Sequence, residues 1–395
     1  MRYIWSMRPQ HPNRQPVRHA LLLCLLGFVL CGIVFMASPL ATVKADGGAP
    51  NLAYIAGGAQ GLSVVDIGQQ KVTRTVALGG DPAAVYLTLD GRYVYIAQPE
   101  LNRVTMLAAL TGKVACSVTV PGQPSFFAFD GGINTLYVAG SGASGITALN
   151  VNSCTITKTV ATQGPIFGMG SAEVGPGVNG GADNQLWFTT ANDLNVLQEG
   201  KILSIAIPGG PQYVTIPGGA TVYVTTHQGN VFGVNLQTLQ ATTPLLSGGD
   251  FGPMDFDMVT NEIYVPDKKH NQLDVLTPLG YNNNTIPPEP GHVIALSATP
   301  QSVAITGDGN LGFVALANGG VAMLDIPGKT LINTIAVGGD PRFIITGLYP
   351  PTNQQTKTAN GSLIPAMLLY IMATVALLLL LVIAFLVILA RRRQA

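Results

Sequence analysis

The sequence predicts an all-β fold: a seven-bladed β-propeller with a velcro-type closure, flanked by an N-terminal signal segment and a C-terminal transmembrane helix. Three observations support it, namely a repeat marked in two independent ways, a turn-rich composition and two apolar ends. With 47 glycines and 27 prolines in 395 residues, turn signals recur every few residues. Only 10% of residues are charged, against about 25% in soluble domains. This composition favours short strands over long soluble helices.

Two markers each recur seven times along the chain, and successive copies of the first are 41 to 47 residues apart, close to the length of a propeller blade. The first is a glycine-rich turn that ends in proline, at Pro82, Pro124, Pro165, Pro211, Pro253, Pro300 and Pro341. The second is an aromatic residue inside a short β-run, at Tyr54, Tyr95, Tyr137, Trp187, Tyr223, Tyr264 and Phe313. Since the two markers agree, the sequence predicts seven units.

Each unit reads as four strands: one after the proline, the aromatic strand, and two more. Four antiparallel strands in this length form a propeller blade, whose apolar faces are buried only against neighbouring blades. The repeats start at Asn51 with a second strand and end near Tyr349 with a first strand. Residues 51–79 therefore supply three strands of one blade, and Pro341 to Thr346 supply its innermost strand and close the ring.

Several segments resemble the YVTN-type β-propeller repeat family. They are VYVTT (Val222–Thr226), ALGGDP (Ala77–Pro82), AVGGDP (Ala336–Pro341) and LDIPGKTLINTIAVGGDP from Leu324. The resemblance extends over about residues 50–349 and weakens in the third and fifth repeats. It implies a secreted or surface-exposed seven-bladed propeller and implies no particular activity.

The N-terminal segment 1–45 is predicted to be a signal peptide or a signal anchor. Four arginines and no acid precede an uncharged run from Ala20 to Ala41, and small residues follow before Asp46, as in a secretory signal. Cleavage and retention both stay open. An oxidising compartment would permit a disulfide between Cys116 and Cys154, but outer strands of successive repeats can lie too far apart to be bridged, so this pairing also stays open.

The C-terminal end is predicted to cross the membrane. A polar stalk (350–362) precedes a transmembrane helix (363–390), which contains an uncharged run from Ala366 to Ala390 long enough for a hydrocarbon core of about 30 Å. Arg391–Arg393 then place the tail (391–395) in the cytoplasm by the positive-inside rule. The expected partner of this end is the lipid bilayer, and the propeller (46–349) is expected outside the cell membrane.

The charge distribution argues against nucleic acid as a partner. All 20 acidic residues lie between Asp46 and Asp340, and the flanks are purely basic. A nucleic-acid site needs a positive surface, whereas this central part of the chain is acidic.

Candidate ligand-binding residues flank the repeat prolines: Asp81, Gln123, Asp340 and Arg342. In a propeller these turns crowd around the central channel, where ligands commonly bind. The alternative is structural, because an aspartate in a Gly-Asp-Pro turn can hydrogen-bond its own backbone.

Metal and cofactor sites are not expected. His227 and His270 fall in loops of adjacent repeats with Asp267 nearby, and solvated loop residues are the interpretation favoured over a shared metal site. No CxxCH, HExxH, GxSxG or Walker sequence occurs that would indicate haem, zinc, serine-hydrolase or nucleotide chemistry.

The sequence therefore favours a binding or display module for a protein, a glycan or a small ligand, and not an enzyme. The alternative is a lactonase-like or dehydrogenase-like propeller enzyme with its site at the channel. Strand counting places both chain crossings on the face that carries the first-to-second and third-to-fourth turns, so this face is expected to point towards the membrane. Gly170–Asp183 and Leu279–Gly291 exceed what a turn needs and are read as functional loops or tolerated insertions on that face.

Overall fold

The computed structural model describes residues 51–176, 182–218, 220–280, 286–351 and Ile388. These residues form seven four-stranded antiparallel sheets, which confirms the predicted all-β, seven-bladed fold. The signal segment, nearly all of the stalk and transmembrane segment, and the tail lie outside the described residues. Among the residues that are described, no helix has the length and apolar character to cross a bilayer.

The strands follow the chain blade by blade, and we number the blades so that blade 7 is shared by the two ends of the repeats. Three strands of blade 7 come first, namely β1 (Leu52–Gly58), β2 (Gly61–Asp66) and β3 (Lys71–Ala77). Blade 1 consists of β4 (Ala84–Leu87), β5 (Tyr93–Gln98), β6 (Arg103–Ala108) and β7 (Val114–Thr119). Blade 2 consists of β8 (Pro124–Asp130), β9 (Thr135–Gly140), β10 (Ser144–Asn150) and β11 (Thr155–Pro165). Blade 3 consists of β12 (Gly168–Pro176), β13 (Ala182–Thr189), β14 (Asp193–Gln198) and β15 (Lys201–Ala206).

The second half of the ring repeats the pattern, but two of its strands are only two residues long. Blade 4 consists of β16 (Pro211–Thr215), β17 (Thr221–Thr226), β18 (Asn230–Asn235) and β19 (Leu246–Ser247). Blade 5 consists of β20 (Asp255–Phe256), β21 (Ile263–Asp267), β22 (Gln272–Leu276) and β23 (His292–Ala295). Blade 6 consists of β24 (Pro300–Ile305), β25 (Leu311–Leu316), β26 (Gly320–Asp325) and β27 (Thr330–Ala336), and β28 (Phe343–Gly347) completes blade 7. A 3-10 turn, Pro99–Leu101, joins β5 to β6.

Both sequence markers occupy equivalent places in every blade. Each repeat proline begins the innermost strand or lies two or three residues before it, where a residue without an N–H donor costs no ladder hydrogen bond. Each marker aromatic lies in the second strand and is at most 5% exposed. These residues supply the largest buried side chains, so the periodic pattern seen in the sequence is the pattern of the core.

The ring is closed by hydrogen bonds between its two chain ends. β28 pairs antiparallel with β1, from Leu52 opposite Gly347 to Ala56 opposite Phe343. The Asn51 amide donates to the Gly347 carbonyl at 2.9 Å, and the Arg342 amide donates to Ala56 at 2.9 Å. The predicted velcro-type closure is therefore confirmed, and it pairs the inner edge of β1, which would otherwise be open.

The hydrophobic core lies between the blades. Each pair of neighbouring blades encloses its own cluster of buried apolar side chains, for example Phe313 and Met323 of blade 6 against Ile55 and Ile344 of blade 7. Fully burying one such side chain contributes about 1.5–3 kcal/mol. Because every cluster needs two blades, the ring is stabilised as a unit.

A disulfide joins Cys116 to Cys154, which settles the pairing that the sequence left open. Only Cys116 lies in an outer strand, β7, whereas Cys154 lies in the turn after β10. This turn packs against blade 1, since Val151 and Cys154 are buried in the cluster shared by blades 1 and 2. The Cα atoms are consequently 6.5 Å apart, within disulfide range. The interpretation of Cys154 as an outer-strand residue was wrong.

The two long segments differ in structure. Most of Gly170–Asp183 extends strands β12 and β13, which pair as far as Pro176 opposite Ala182. In Leu279–Gly291, the Leu279 amide donates to the Tyr223 hydroxyl at 2.8 Å, and its carbonyl accepts from the Thr221 hydroxyl at 3.0 Å. Residues 177–181 and 281–285 lie outside the described residues. The first segment is thus largely sheet, and the second begins by covering blade 4.

The propeller has two faces. We call the one that carries the first-to-second and third-to-fourth turns the chain-end face, because Asn51 and Tyr349 both lie there. The Tyr349 hydroxyl donates to the Asp66 carboxylate at 2.7 Å, which fixes the departing chain to blade 7. The opposite face, which carries the second-to-third turns and the links between blades, is called the mouth face.

Candidate functional site

A cavity of about 510 Å³ occupies the centre of the ring and opens on the mouth face. Every blade contributes to its wall through its innermost strand or the link that precedes it. Gly168 shows how closely these strands approach, because a Cβ at this position would lie 2.1 Å from the Gln212 carbonyl oxygen. The side chains that give the wall its aromatic and charged character are Tyr86, Phe126, Phe127, Tyr213, Lys268, Asp340 and Arg342.

Three of the four predicted site residues meet at the boundary between blades 7 and 1. Arg342 places Nη1 2.6 Å from Asp81 Oδ2 and Nε 3.1 Å from Asp340 Oδ2. The three side chains are between 38% and 57% exposed, so their contribution to stability is small. The arrangement instead fixes one guanidinium between two carboxylates at the rim of the cavity. In this structure the aspartates bind Arg342, which differs from the alternative in which they bond their own turns.

Gln123 stands apart from this group. Its side chain is exposed on the link before β8, and it is not part of the cavity wall. The backbone N–H of Gln123 donates to Asn102 Oδ1 at 2.9 Å, which ties the link to the preceding blade. Its equivalent position in the repeat therefore does not bring it to the other three residues.

Lys268 is a functional candidate that the sequence analysis missed. It follows β21 in the second-to-third turn of blade 5, and its Nζ lies 5.9 Å from the centre of the Tyr213 ring. None of the salt bridges found among the described residues includes it. The neighbouring Lys269 differs, because its Nζ donates to the Gly248 carbonyl at 2.7 Å. Lys268 thus presents a cation over an aromatic face at the mouth.

Aromatic side chains give the cavity an apolar wall. Phe126 and Tyr213 meet edge to face with ring centres 6.3 Å apart, and Tyr86 lies 6.4 Å from Phe127. Burial raises the pKa of Tyr213, and the charge of Asp250 raises it further. Burial likewise raises the pKa of Tyr86. Both phenols therefore stay neutral at physiological pH, but the Tyr86 hydroxyl is itself buried, so Tyr86 contributes only ring surface to the cavity.

The two loop histidines have separate partners. His270 Nδ1 lies 2.5 Å from Asp267 Oδ2, whereas His227 Nδ1 lies 2.8 Å from Gln212 Nε2. Asp267 Oδ1 also accepts from the Lys269 amide at 3.0 Å, so Asp267 orders its own turn. Within the described ranges, no three His, Cys, Asp or Glu side chains are grouped to hold a metal ion.

A buried carboxylate lies behind this turn. Asp274 of β22 is 3% exposed, and Gln272 Nε2 donates to it at 2.8 Å. Burial, and then the charge of Asp267, raise the pKa of Asp274 to about 6. Its position in the third strand of blade 5, away from the cavity wall, makes it a structural residue and not a ligand-binding one.

The chain resembles solved propellers in fold. It matches apo AztD from Citrobacter koseri with a TM-score of 0.56 and 12% identity over 76% of this chain and 100% of that one. It matches the β-propeller domain of Cps50 (Swd1) from Myceliophteria thermophila with a TM-score of 0.57 and 11% identity, over 70% and 92%. It also matches dihydro-heme d1 dehydrogenase NirN with a TM-score of 0.55 and 13% identity, over 74% of each chain.

These likenesses establish the propeller fold alone, because identities this low accompany widely different functions. No protein-family model and no curated protein matches the chain. The resemblance to YVTN-type repeats therefore stays a prediction, while the fold that it implied is confirmed.

Proposed function

We propose that this protein is a membrane-anchored, extracytoplasmic binding module that takes its ligand at the mouth of the central cavity. The observation that carries the proposal is a central cavity of about 510 Å³ whose wall combines aromatic and polar side chains, with Lys268 at its rim. Cavities of this size and lining are typical of sites for small molecules or for the end of a larger one.

The charges at the rim indicate the chemical class of the ligand. Arg342 is already paired with Asp81 and Asp340 in a group whose net charge is −1, whereas Lys268 has an ammonium group with no salt bridge among the described residues. An anionic group on the ligand would find its partner in Lys268, and an apolar or aromatic body would pack on Phe126 and Tyr213. The ligand is therefore an amphiphilic anion, either free or presented by a surface protein or glycan.

The enzyme alternative has less support. A lactonase-like or dehydrogenase-like site would need carboxylates or histidines directed into the cavity, but Asp81 and Asp340 are held by Arg342, and Asp267 orders its own turn. NirN is a dehydrogenase, but its likeness to this chain concerns the fold alone.

The membrane anchor in this proposal is supported by sequence. An uncharged run of apolar residues from Ala366 to Ala390, followed by three arginines, is a stop-transfer pattern. The described chain leaves the ring on the chain-end face at Tyr349, only some 15 residues before that run. The mouth face is consequently expected to point away from the membrane.

Binding of naphthalene-2-sulfonate to the full chain in lipid nanodiscs tests the proposal, with empty nanodiscs as the blank and uncharged 2-naphthol as the comparison ligand. We expect saturable binding of the sulfonate, and weaker binding of the naphthol. Lys268→Ala should weaken sulfonate binding about tenfold, or ~1.4 kcal/mol, near the value of one hydrogen bond to a charged group.

The matched control is Lys269→Ala, which removes a lysine of the same turn that is already bonded to Gly248. It should leave sulfonate binding unchanged. Absence of saturable binding, or an equal loss in both lysine variants, would contradict the proposed site.

A further inference from the structure

We propose that the chain-end face rests on the lipid bilayer through apolar loop tips, so that the propeller is docked on the membrane as well as tethered to it. The tips are Leu89, Ile133, Met258 and Val259, each in a first-to-second turn. The inference rests on the membrane anchor proposed above, and it goes beyond that anchor because it fixes how the propeller is held.

The first observation is the exposure of these side chains. Leu89 is 83% exposed, Val259 67%, Met258 66% and Ile133 56%. Hairpin turns need residues that allow the turn conformation and can be polar, so the turn conformation does not require large apolar side chains at these tips. Their exposure to water suggests that another apolar phase covers them.

The second observation is that the two faces differ. On the mouth face, Leu101 is the one large apolar residue of the described turns that is strongly exposed. The chain-end face adds Leu110, Leu348 and Tyr349 to the four tips. The remaining exposed apolar residues of the propeller lie in outer strands, at the circumference. The apolar excess is thus a property of one face.

The third observation is geometric. Leu89 and Ile133 belong to the neighbouring blades 1 and 2, whereas Met258 and Val259 belong to blade 5, across the ring. Three separated supports define a plane, which suits a flat bilayer better than a compact protein partner. Tyr349 adds an amphipathic ring, a residue type enriched at membrane interfaces.

Two ion pairs lie beside the tips, and their pairing lowers the cost of bringing these four charges near a membrane. Arg92 Nε pairs with Asp90 at 2.5 Å beside Leu89. Lys329 Nζ pairs with Glu262 at 2.7 Å, in the turn that carries Val259. An uncompensated acid at either tip would be repelled by anionic headgroups.

The departing chain identifies the bilayer as the occupant of this face. Pro351 Cδ lies 3.8 Å from the place of a Cβ on Gly91, so the chain leaves the ring beside the Leu89 tip. The polar residues from there to Ser362 can span at most about 40 Å at ~3.3 Å each. The predicted helix therefore keeps the bilayer within reach of the tips, as a tether that raises its effective concentration.

Fluorescence quenching in proteoliposomes tests the docking. The full chain carries Cys24→Ser and Cys31→Ser and keeps its Cys116–Cys154 disulfide, so that single cysteines at Leu89, Met258 or Leu101 can be labelled with the environment-sensitive NBD group. In phosphatidylcholine vesicles with nitroxide-labelled lipid, we expect quenching at Leu89→Cys and Met258→Cys to exceed that at Leu101→Cys at least threefold. Leu101 is the matched control, because it is apolar, exposed and on the mouth face.

A second variant guards against insertion driven by the probe itself. The label is placed on the exposed, polar Asn310→Cys of the chain-end face, with Leu89→Ser, Met258→Ser and Val259→Ser together as the perturbation. These side chains are exposed, so the fold should persist. We expect quenching at position 310 to fall at least twofold in the triple variant.

Flotation of the vesicles separates the possible failures. If the chain floats with the vesicles but quenching at Leu89 and Met258 equals that at Leu101, or if the triple variant changes nothing, the docking is overturned and the anchor stands. If the chain does not float with the vesicles, the anchor is wrong, and the docking falls with it.

Discussion

Replacing Gly57 with alanine tests the closure of the ring at its most crowded contact. Gly57 adopts φ +85, and a Cβ there would lie 2.1 Å from the Asp340 carbonyl oxygen and 3.2 Å from the Arg342 amide nitrogen. The alanine must therefore displace the link between β27 and β28. Two backbone hydrogen bonds lie at this contact: Asp340 to Gly57 at 2.8 Å and Arg342 to Ala56 at 2.9 Å.

Gly200→Ala is the matched control for Gly57→Ala. Gly200 also has a positive φ, +75, but a Cβ there would have no heavy atom within 4 Å. Both substitutions share the conformational strain of alanine at positive φ, about 1–2 kcal/mol, and both restrict the unfolded chain equally. Their difference thus isolates the displaced link, and two hydrogen bonds at about 1 kcal/mol each predict that Gly57→Ala is less stable by about 2–3 kcal/mol.

Tryptophan fluorescence during denaturant unfolding measures that difference. Trp187 is fully buried in blade 3, far around the ring from blade 7, so with Trp5→Phe as the background it reports whether loss of closure unfolds the whole propeller. We expect one cooperative transition at a lower denaturant concentration for Gly57→Ala. Coincident transitions for the two variants would refute the reasoning that this contact holds the ring closed.

Three further predictions concern covalent, electrostatic and hydrogen-bond contributions. Cys116→Ala with Cys154→Ala should lower the unfolding free energy by about 2–4 kcal/mol, the usual effect of losing a disulfide, and unchanged denaturation midpoints with and without reductant would contradict it. The pKa of Asp274 is about 6 in the fold and near 3.9 when unfolded, so the native state binds more protons and the free energy of unfolding should fall as pH rises from 4 to 7. Asp274→Asn should flatten this fall by about 2–3 kcal/mol. Parallel pH profiles for the variant and the unchanged protein would be evidence against it. Tyr223→Phe leaves the buried Leu279 amide without its partner and should cost about 1–3 kcal/mol. Tyr54→Phe removes a hydroxyl that has no hydrogen-bond partner among the described residues and should be close to neutral; equal thermal midpoints for the two would count against the predicted bond.

The fold could be predicted because its determinants are local and periodic. Each repeat proline marks the start of an innermost strand, and each marker aromatic fills the space between two blades. The closure followed from the same counting, since a chain that begins with a second strand and ends with a first strand must share a blade. Nothing in this inference needed contacts between distant residues.

The details that could not be predicted depend on how neighbouring blades pack against each other. Cys154 reaches β7 because a turn of blade 2 packs on blade 1, and the spacing of the cysteines carries no sign of that. Arg342 binds Asp81 across a blade boundary, although most of the chain lies between them in sequence. Gln123, at the place equivalent to Asp81 one repeat later, remains outside this group. Lys268 was overlooked because a pair of lysines in a loop usually indicates only a solvated turn.

Cysteine accessibility on intact cells tests the central claim most directly, namely that the mouth of an anchored propeller faces outwards. In cells that express the full chain with Cys24→Ser and Cys31→Ser, single cysteines replace Gln228 on the mouth face or Ala395 at the end of the tail. We expect a membrane-impermeant maleimide to label Gln228→Cys on intact cells, and to label Ala395→Cys only after the membrane is permeabilised. Labelling of Gln228→Cys only after permeabilisation, or of Ala395→Cys without it, would contradict the account.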